Sequence, residues 1–375
     1  MTWEMQWSRA GEIARFGRLA VVAVLLALML GQSALATRAA GDEITVMTRN
    51  LYQGADLGPV IAARTQTEFL LAVAAVLTEA RATDLSGRMQ AIAAEIDRAR
   101  PDLIGLQEAV LWRTQSPADF SPTPNATSIE ADLLQLLLSA LAARGLKYDV
   151  VAIQDGFDVE APGLFPSGLI DVRLTQREVI LARHSAPMKL TNTQSGQYAA
   201  RITIPTIIGV PVSLPWAWAS VDVRTHDHAF RFATTHLDSV SGAIQQAQAS
   251  EFLAGPGDTP LPIVWVGDFN SDADGTPITG VPPATATYGS IIAAGFEDTW
   301  VAKHPSDPGL TCCHDADLLN PTSSLTERID LILTRGDISV EEAGRVGDDP
   351  AERLPSGLWP SDHAGVVVSL ELEDD

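Results

Sequence analysis

Six short segments of this chain each set a chemically competent polar residue at the end of an apolar run. Met47-Thr-Arg-Asn50 ends in Asn50, Ile104-Gly-Leu-Gln-Glu108 in Glu108, and Thr234-Thr-His-Leu-Asp238 presents His236. Val264-Trp-Val-Gly-Asp-Phe-Asn270 ends in Asp268 and Asn270, Arg328-Ile-Asp330 puts an acid between apolar residues, and Ser361-Asp362-His363 precedes the last apolar run. Any one of these reads as a turn or cap. Six in succession point to a site, because ligands of α/β folds gather at strand ends. The residue types specify metal-assisted attack of water on phosphorus. A carboxylate such as Glu108, with the amide oxygen of Asn50, is the hard oxygen donor set that Mg²⁺ or Mn²⁺ takes. An ion held there polarises a phosphoryl oxygen and offsets the charge that builds in the transition state. A histidine beside a buried carboxylate is held in one tautomer and serves as base or phosphate-facing cation, so His363 with Asp330 is a candidate pair.

The elements that must position these residues alternate from Glu43 onward, with no repeat of 20–50 residues. Strands are predicted at 44–50, 103–108, 147–154, 179–183, 218–224, 229–235, 261–267, 328–334 and 364–371. Helical spacing of alanine and leucine predicts helices over 67–81, 85–98 and 129–144, the second stopped by Arg100-Pro101 and the third by Gly145. Several strands are apolar on both faces, which calls for sheets covered on both sides and hence a layered α/β domain with two central sheets. Pro- and Gly-rich breaks at 116–125, 161–168, 205–215, 255–262 and 275–283 are too short to be interdomain linkers, so one catalytic domain over 37–375 is expected.

Taken in order, Asn50, Gln107-Glu108, Thr235-His236-Leu237, Gly267-Asp268-Phe269-Asn270, Arg328-Ile329-Asp330 and Ser361-Asp362-His363 resemble the motif set of the endonuclease/exonuclease/phosphatase superfamily, the deoxyribonuclease I-like fold. The resemblance covers about residues 44–372. It implies a four-layered α/β sandwich of two mainly antiparallel sheets flanked by helices. It implies that Glu108 is the metal carboxylate, Asn50 its neighbour on phosphate or metal, and Asp362 the second acidic ligand. Asp268 and Asn270 would orient the attacking water and the phosphate, His363 would be the catalytic histidine braced by Asp330, and His236 a donor to the phosphoryl oxygens or leaving group. The implied activity is Mg²⁺- (or Mn²⁺/Ca²⁺-) dependent hydrolysis of a phosphodiester by in-line attack of water, on nucleic acid or a phospholipid head group. Trp265-Val-Gly-Asp-Phe-Asn270 is also similar to inositol polyphosphate phosphatases, but Arg328-Ile-Asp330 lacks the Cys-Asp-Arg form of their second signature, which weakens the monoester reading. A non-catalytic binding module on the same fold is the alternative of another class. It gives no reason to retain Glu108, Asp268 and His363 together.

The chain departs from a compact member at 52–84, which inserts Gly-Ala-Asp-Leu-Gly and an apolar helix, expected as core and alternatively as a wall of the substrate cleft. Segment 204–218, with Trp216 and Trp218, is expected to pack under a loop, with lipid contact as the alternative. Cys312 and Cys313 are too few for a disulfide framework or a four-ligand zinc site. Neighbouring Cα atoms lie ~3.8 Å apart, below the usual disulfide range, so buried thiols are expected, with a vicinal disulfide as the alternative.

Composition sets the outer limits. With 375 residues and 46% hydrophobic, the chain can bury a large core. Lys plus Arg is 25 against 47 Asp plus Glu, a net charge of −22, which speaks against a coat protein held on nucleic acid by counterion release. It leaves open an enzyme that meets phosphate through a cation. Arg9, Arg15 and Arg18 precede an apolar run at 19–30 and then Ser33-Ala34-Leu35-Ala36, the pattern of a secretory signal. The run is shorter than the roughly 20 residues that span a bilayer. Cleavage near Ala36 and a secreted mature chain are expected, with a phosphate-ester substrate as the partner, no obligate protein partner and a monomeric state.

Overall fold

The computed structural model describes residues 43–121, 123–205, 207, 212–273 and 286–373. The expected signal at 1–36 and the break at 275–283 lie outside the described residues. In chain order the elements are β1 (Glu43–Asn50), α1 (Gly58–Ala62), α2 (Gln66–Ala82), α3 (Leu85–Ala99), β2 (Leu103–Gln107), β3 (Leu111–Gln115), β4 (Ser128–Asp132), α4 (Leu133–Ala143), β5 (Tyr148–Phe165) and β6 (Gly168–Arg183). There follow β7 (Lys189–Gln197), β8 (Ile202–Ile204), β9 (Val212–Leu214), β10 (Ala217–Arg224), β11 (Ala229–His236), α5 (Gly242–Ala254), β12 (Ile263–Asp268) and α6 (Ala286–Ala293). The chain closes with β13 (Glu297–Asp298), α7 (Thr299–Lys303), β14 (Asp330–Arg335), β15 (Ile338–Val346) and β16 (Gly365–Leu372).

Two large sheets result. One runs β15-β16-β1-β2-β6-β3-β4, with β5 paired to β6, and the other β13-β14-β12-β11-β10-β7. Each is antiparallel except for one internal parallel pair, β1 with β2 and β11 with β12. The sequence explains why both faces are covered. On β1, Val46 enters the core between the sheets while its neighbour Met47 packs with the helices, and on β12 Val264 and Val266 alternate with Trp265 in the same way. Phe69, Val73 and Leu77 of α2 and Met89, Ile92 and Ile96 of α3 cover the first sheet, and Phe252 of α5 stacks on Trp265 with centroids 3.8 Å apart. Each such burial contributes about 1.5–3 kcal/mol. This is the expected four-layered sandwich. The sheets approach so closely that a Cβ on Gly105 would lie 2.5 Å from Val266 Cγ2 and 2.6 Å from Thr234 Oγ1.

Two expectations are corrected. The helix predicted over 129–144 begins only at Leu133; Ser128–Asp132 pairs with β3 as β4, and Asp132 caps the helix by accepting the Gln135 N–H at 3.2 Å. The break predicted at 161–168 is mostly strand. β5 runs through Pro162 and Gly163 because its outer edge is unpaired and needs no N–H from proline.

Candidate active site

Register brings the polar strand ends together. Asn50 pairs with Gln107 across β1 and β2, and Asp268 on β12 is flanked by His236 on β11 and Asp330 on β14. The two parallel pairs meet at this edge, where Asn50 Nδ2 donates to Asp268 Oδ2 at 3.0 Å. Glu108 (φ +53°) and Asn270 (φ +48°) leave their strands in the left-handed region, which non-glycine residues seldom occupy and which gathers at functional sites. Gly267 is required by contact: a Cβ there would lie 2.1 Å from the Thr235 carbonyl oxygen.

On one side of the cleft stands an imidazole among acids. His363 Nδ1 donates to Asp330 Oδ2 at 2.8 Å, and its Nε2 lies 3.9 Å from Asp268 Oδ2 and 3.8 Å from Asp362 Oδ1. Burial alone would lower its pKa, but the Asp330, Asp362 and Asp268 carboxylates outweigh burial and hold it well above the usual value, which favours the charged ring. His236 is the opposite case: burial, reinforced by the charge on His363, holds it well below the usual value and neutral. Its ring lies on Trp216 with centroids 4.0 Å apart, and its Nε2 is 3.5 Å from Asp268 Oδ2. Burial, and then Asp330, raise the Asp268 carboxyl well above the usual range. Its Oδ1 accepts the Asn270 N–H at 2.9 Å, and the Asn270 amide is anchored on the Leu237 carbonyl at 2.9 Å.

The other side is all oxygen. Glu108 Oε2 accepts the Gln53 N–H at 2.7 Å, and burial together with Asp362 pushes its carboxyl up to about 7. Burial raises Asp362 as well. Asn50 Oδ1 accepts the Tyr52 N–H at 2.9 Å while its amide nitrogen reaches Asp268, so this side chain ties the two sides together. Two half-buried carboxylates, Asp362 raising the proton affinity of Glu108, with an amide oxygen beside them, fit a divalent cation by the chemistry of their donors. Asp268, Asp330 and His363 also lie within 4.8 Å of one another by their ligand atoms, and Asp330 Oδ1 has no hydrogen-bond partner among the described residues.

Several residues of the site carried no sequence motif. Arg88 is buried and donates to the carbonyls of Thr83 (3.1 Å), Leu51 (2.8 Å), Tyr52 (3.0 Å) and Pro360 (3.2 Å), clamping the chain after Asn50 to the chain before Ser361. Arg49 pairs with Glu95 at 2.9 Å and donates to the His363 carbonyl. Gln176 donates to Glu178, whose carboxyl burial drives well up and which lies 3.7 Å from His236 Nδ1. The polar run Thr175-Gln-Arg-Glu178 opening an apolar strand was its only signal. Cys312 and Cys313 form a vicinal disulfide rather than two thiols, and Cys312 Sγ is 3.6 Å from His363 Nε2. Next to it, Thr311 Oγ1 accepts the Asp330 N–H at 3.1 Å and the Thr311 carbonyl accepts the Ala364 N–H at 2.7 Å, so this segment splints the Asp330–His363 pair. Trp216 packs inward as expected, with its Nε1 donating to Asp238 at 3.2 Å.

The family model of the endonuclease/exonuclease/phosphatase family matches residues 67–363, and the chain belongs to that family, whose members generally hydrolyse phosphate esters. Among solved structures, an endonuclease/exonuclease/phosphatase family protein from Bacteroides thetaiotaomicron is 18% identical, over 90% of this chain and 100% of that one, with a TM-score of 0.54. One from Beutenbergia cavernae is 22% identical over 88% and 72%, with a TM-score of 0.53. A mannosyl-6-phosphatase from Bacteroides thetaiotaomicron is 18% identical over 87% and 99%, with a TM-score of 0.52. At these identities the likeness is one of fold. No curated protein matches the chain.

Proposed function

We propose that the chain is a divalent-metal-dependent phosphodiesterase, and the observation that carries this reading is the buried cluster of Asp330, His363 and Asp268 tied through Asn50 to the oxygen-lined side at Glu108. Glu108, Asp362 and the Asn50 amide oxygen would hold the ion, which when bound polarises the phosphoryl oxygen. Asp268, its basicity raised and its geometry fixed by Asn50 and Asn270, takes the proton of the attacking water. The His363 imidazolium, oriented by Asp330, faces the phosphoryl oxygens with Nε2–H and stabilises the charge that builds there. His236, neutral and braced by Trp216, donates to the same oxygens. Among the described residues, Arg49 and Arg88 are spent on Glu95 and on backbone carbonyls. The side-chain cation that faces substrate beside the metal is then His363 alone, with no second one among the residues named, which suits the single charge of a diester better than the nearly double charge of a monoester.

The test is hydrolysis of bis(p-nitrophenyl) phosphate and of p-nitrophenyl phosphate, each with Mg²⁺ and with EDTA. The reading expects the diester to be preferred and EDTA to abolish turnover. Preference for the monoester would move the chain to the chemistry named for its mannosyl-6-phosphatase fold relative. We extend the reading to secretion: residues 1–36 act as a cleaved signal, so N-terminal sequencing of exported protein should start near Thr37, and recovery of intact Met1 in membranes contradicts it.

A further inference from the structure

Residues between Leu57 and Val76 and, far away in sequence, Ile204, Pro205, Val212 and Leu214 wall one cavity of about 410 Å³. Val60 of α1, Phe69 and Val73 of α2, Phe157 of β5, Leu174 of β6 and Leu214 of β9 line it. The two acids that reach its lining are already engaged: Glu160 accepts the Asn125 and Ala126 N–H groups, both at 2.7 Å, and Asp171 accepts that of Asp119 at 2.8 Å. Apart from Gln66 and Ser121, what remains is hydrocarbon, in the size range of ligand pockets, about 300–1,000 Å³. Ile61 and Phe120, also in the lining, are 48% and 59% exposed, so the apolar surface continues to the outside, where a soluble protein seldom leaves it without use.

This cavity lies behind the phosphate cleft, with two residues between them on each of two routes, Trp112 and Gln53 on one and Phe157 and Trp216 on the other. Trp112 lines the cavity and its Nε1 donates to the Gln53 carbonyl at 2.9 Å, while the Gln53 N–H donates to Glu108 at 2.7 Å. Phe157 lines it as well and meets Trp216 edge-to-face at 5.7 Å, and the other neighbour of Trp216 is His236. From this juxtaposition we infer that the cavity receives the hydrocarbon chain of an amphiphilic phosphodiester whose phosphate sits at Glu108, Asp268 and His363. The inference rests on the phosphodiesterase reading and names its substrate class. An alkyl chain there exchanges water for carbon along its whole length.

The experiment measures kcat/KM with Mg²⁺ for alkylphosphocholines with chains of 4, 8 and 12 carbons, below their micelle concentrations, beside bis(p-nitrophenyl) phosphate as a chain-free diester. Burial of each methylene predicts a rise of about three- to fourfold per carbon until the cavity is filled. Leu214→Trp, which fills the cavity, and Val60→Asp, which places a charge in its wall, should flatten that rise and leave bis(p-nitrophenyl) phosphate hydrolysis unchanged. In parallel, displacement of the neutral fluorophore N-phenyl-1-naphthylamine by dodecylphosphocholine reads the cavity without turnover, and both variants should lose it. Hydrolysis independent of chain length in the wild type overturns the inference and leaves the phosphodiesterase reading standing. No hydrolysis of any diester, with fluorophore displacement retained in the wild type and lost in both variants, overturns the phosphodiesterase reading and keeps the chain site. Failure of the fluorophore to bind, or binding that both variants retain, overturns the chain site whatever the rates.

Discussion

The phosphate cleft and the apolar cavity share Trp112 and the Phe157–Trp216 pair as partitions, yet they are built on opposite terms. In the cleft nearly every side chain is polar, buried and hydrogen-bonded, and each has one position from which it can act. In the proposed mechanism Asp268 depends on β11 and β14, which set His236 and Asp330 beside it in register. In the cavity no single contact decides anything, and any apolar side chain of about the right volume would serve. A reaction site is therefore sensitive to chemistry at fixed points, and a chain-binding site to volume and polarity over an area.

Substitutions in the cleft should be large and those in its supports smaller. Asp268→Asn keeps the shape and removes the proton acceptor, so turnover should fall by ~10² to 10⁴ with an unchanged thermal melt; a loss below tenfold removes Asp268 from that role. Arg88→Met leaves four buried carbonyls short of a donor and should cost about 3 kcal/mol of stability, read as a lower melting temperature together with reduced turnover. An unchanged melt means that the clamp on either side of Asn50 and Ser361 is not needed. Glu108→Gln should weaken Mg²⁺ binding by roughly 10- to 100-fold in titration calorimetry, at least the loss seen when a supporting group is removed from a metal site. Unchanged affinity means that Glu108 is no ligand.

The smallest effect comes from the raised carboxyls. Between its usual 4.5 and about 7, Glu108 keeps a proton in the folded chain that the unfolded chain has released, so metal-free stability should fall as pH rises through that window. Asp362 and Asp268 push the same way. Mg²⁺ competes with that proton and should raise the melting temperature by a few degrees more at pH 8 than at pH 5. Equal shifts at both values separate the raised carboxyls from the metal.

The contrast between cleft and cavity also explains what could be read without coordinates. Asn50, Glu108, His236, Asp268, Asn270, Asp330, Asp362 and His363 were legible because each is a polar residue where an apolar run ends, and parallel pairing of β1 with β2 and β11 with β12 carries such ends to one edge. Arg88 and Glu178 were not legible, since a buried arginine on a helix looks like a solvated one until its carbonyl partners arrive from Leu51 and Pro360, and the disulfide was legible only as the alternative to two thiols. The cavity was legible only as a pair of alternatives, a cleft wall at 52–84 and a lipid contact at 204–218, because an apolar side chain that lines a cavity has the same sequence signature as one in the core. Local signals also misled at Ser128–Asp132, where helical spacing lost to pairing with β3.

We propose His363, held by Asp330 at 2.8 Å, as the working imidazole of a phosphodiester site. A double-mutant cycle on bis(p-nitrophenyl) phosphate with Mg²⁺ tests it most directly, with thermal melts to show that each protein is folded. His363→Ala should lose ~10² to 10⁴ in kcat, Asp330→Asn somewhat less, and the double variant little more than His363→Ala alone, because residues that act as a unit are not additive. Full activity in His363→Ala, or losses that simply multiply, contradict it.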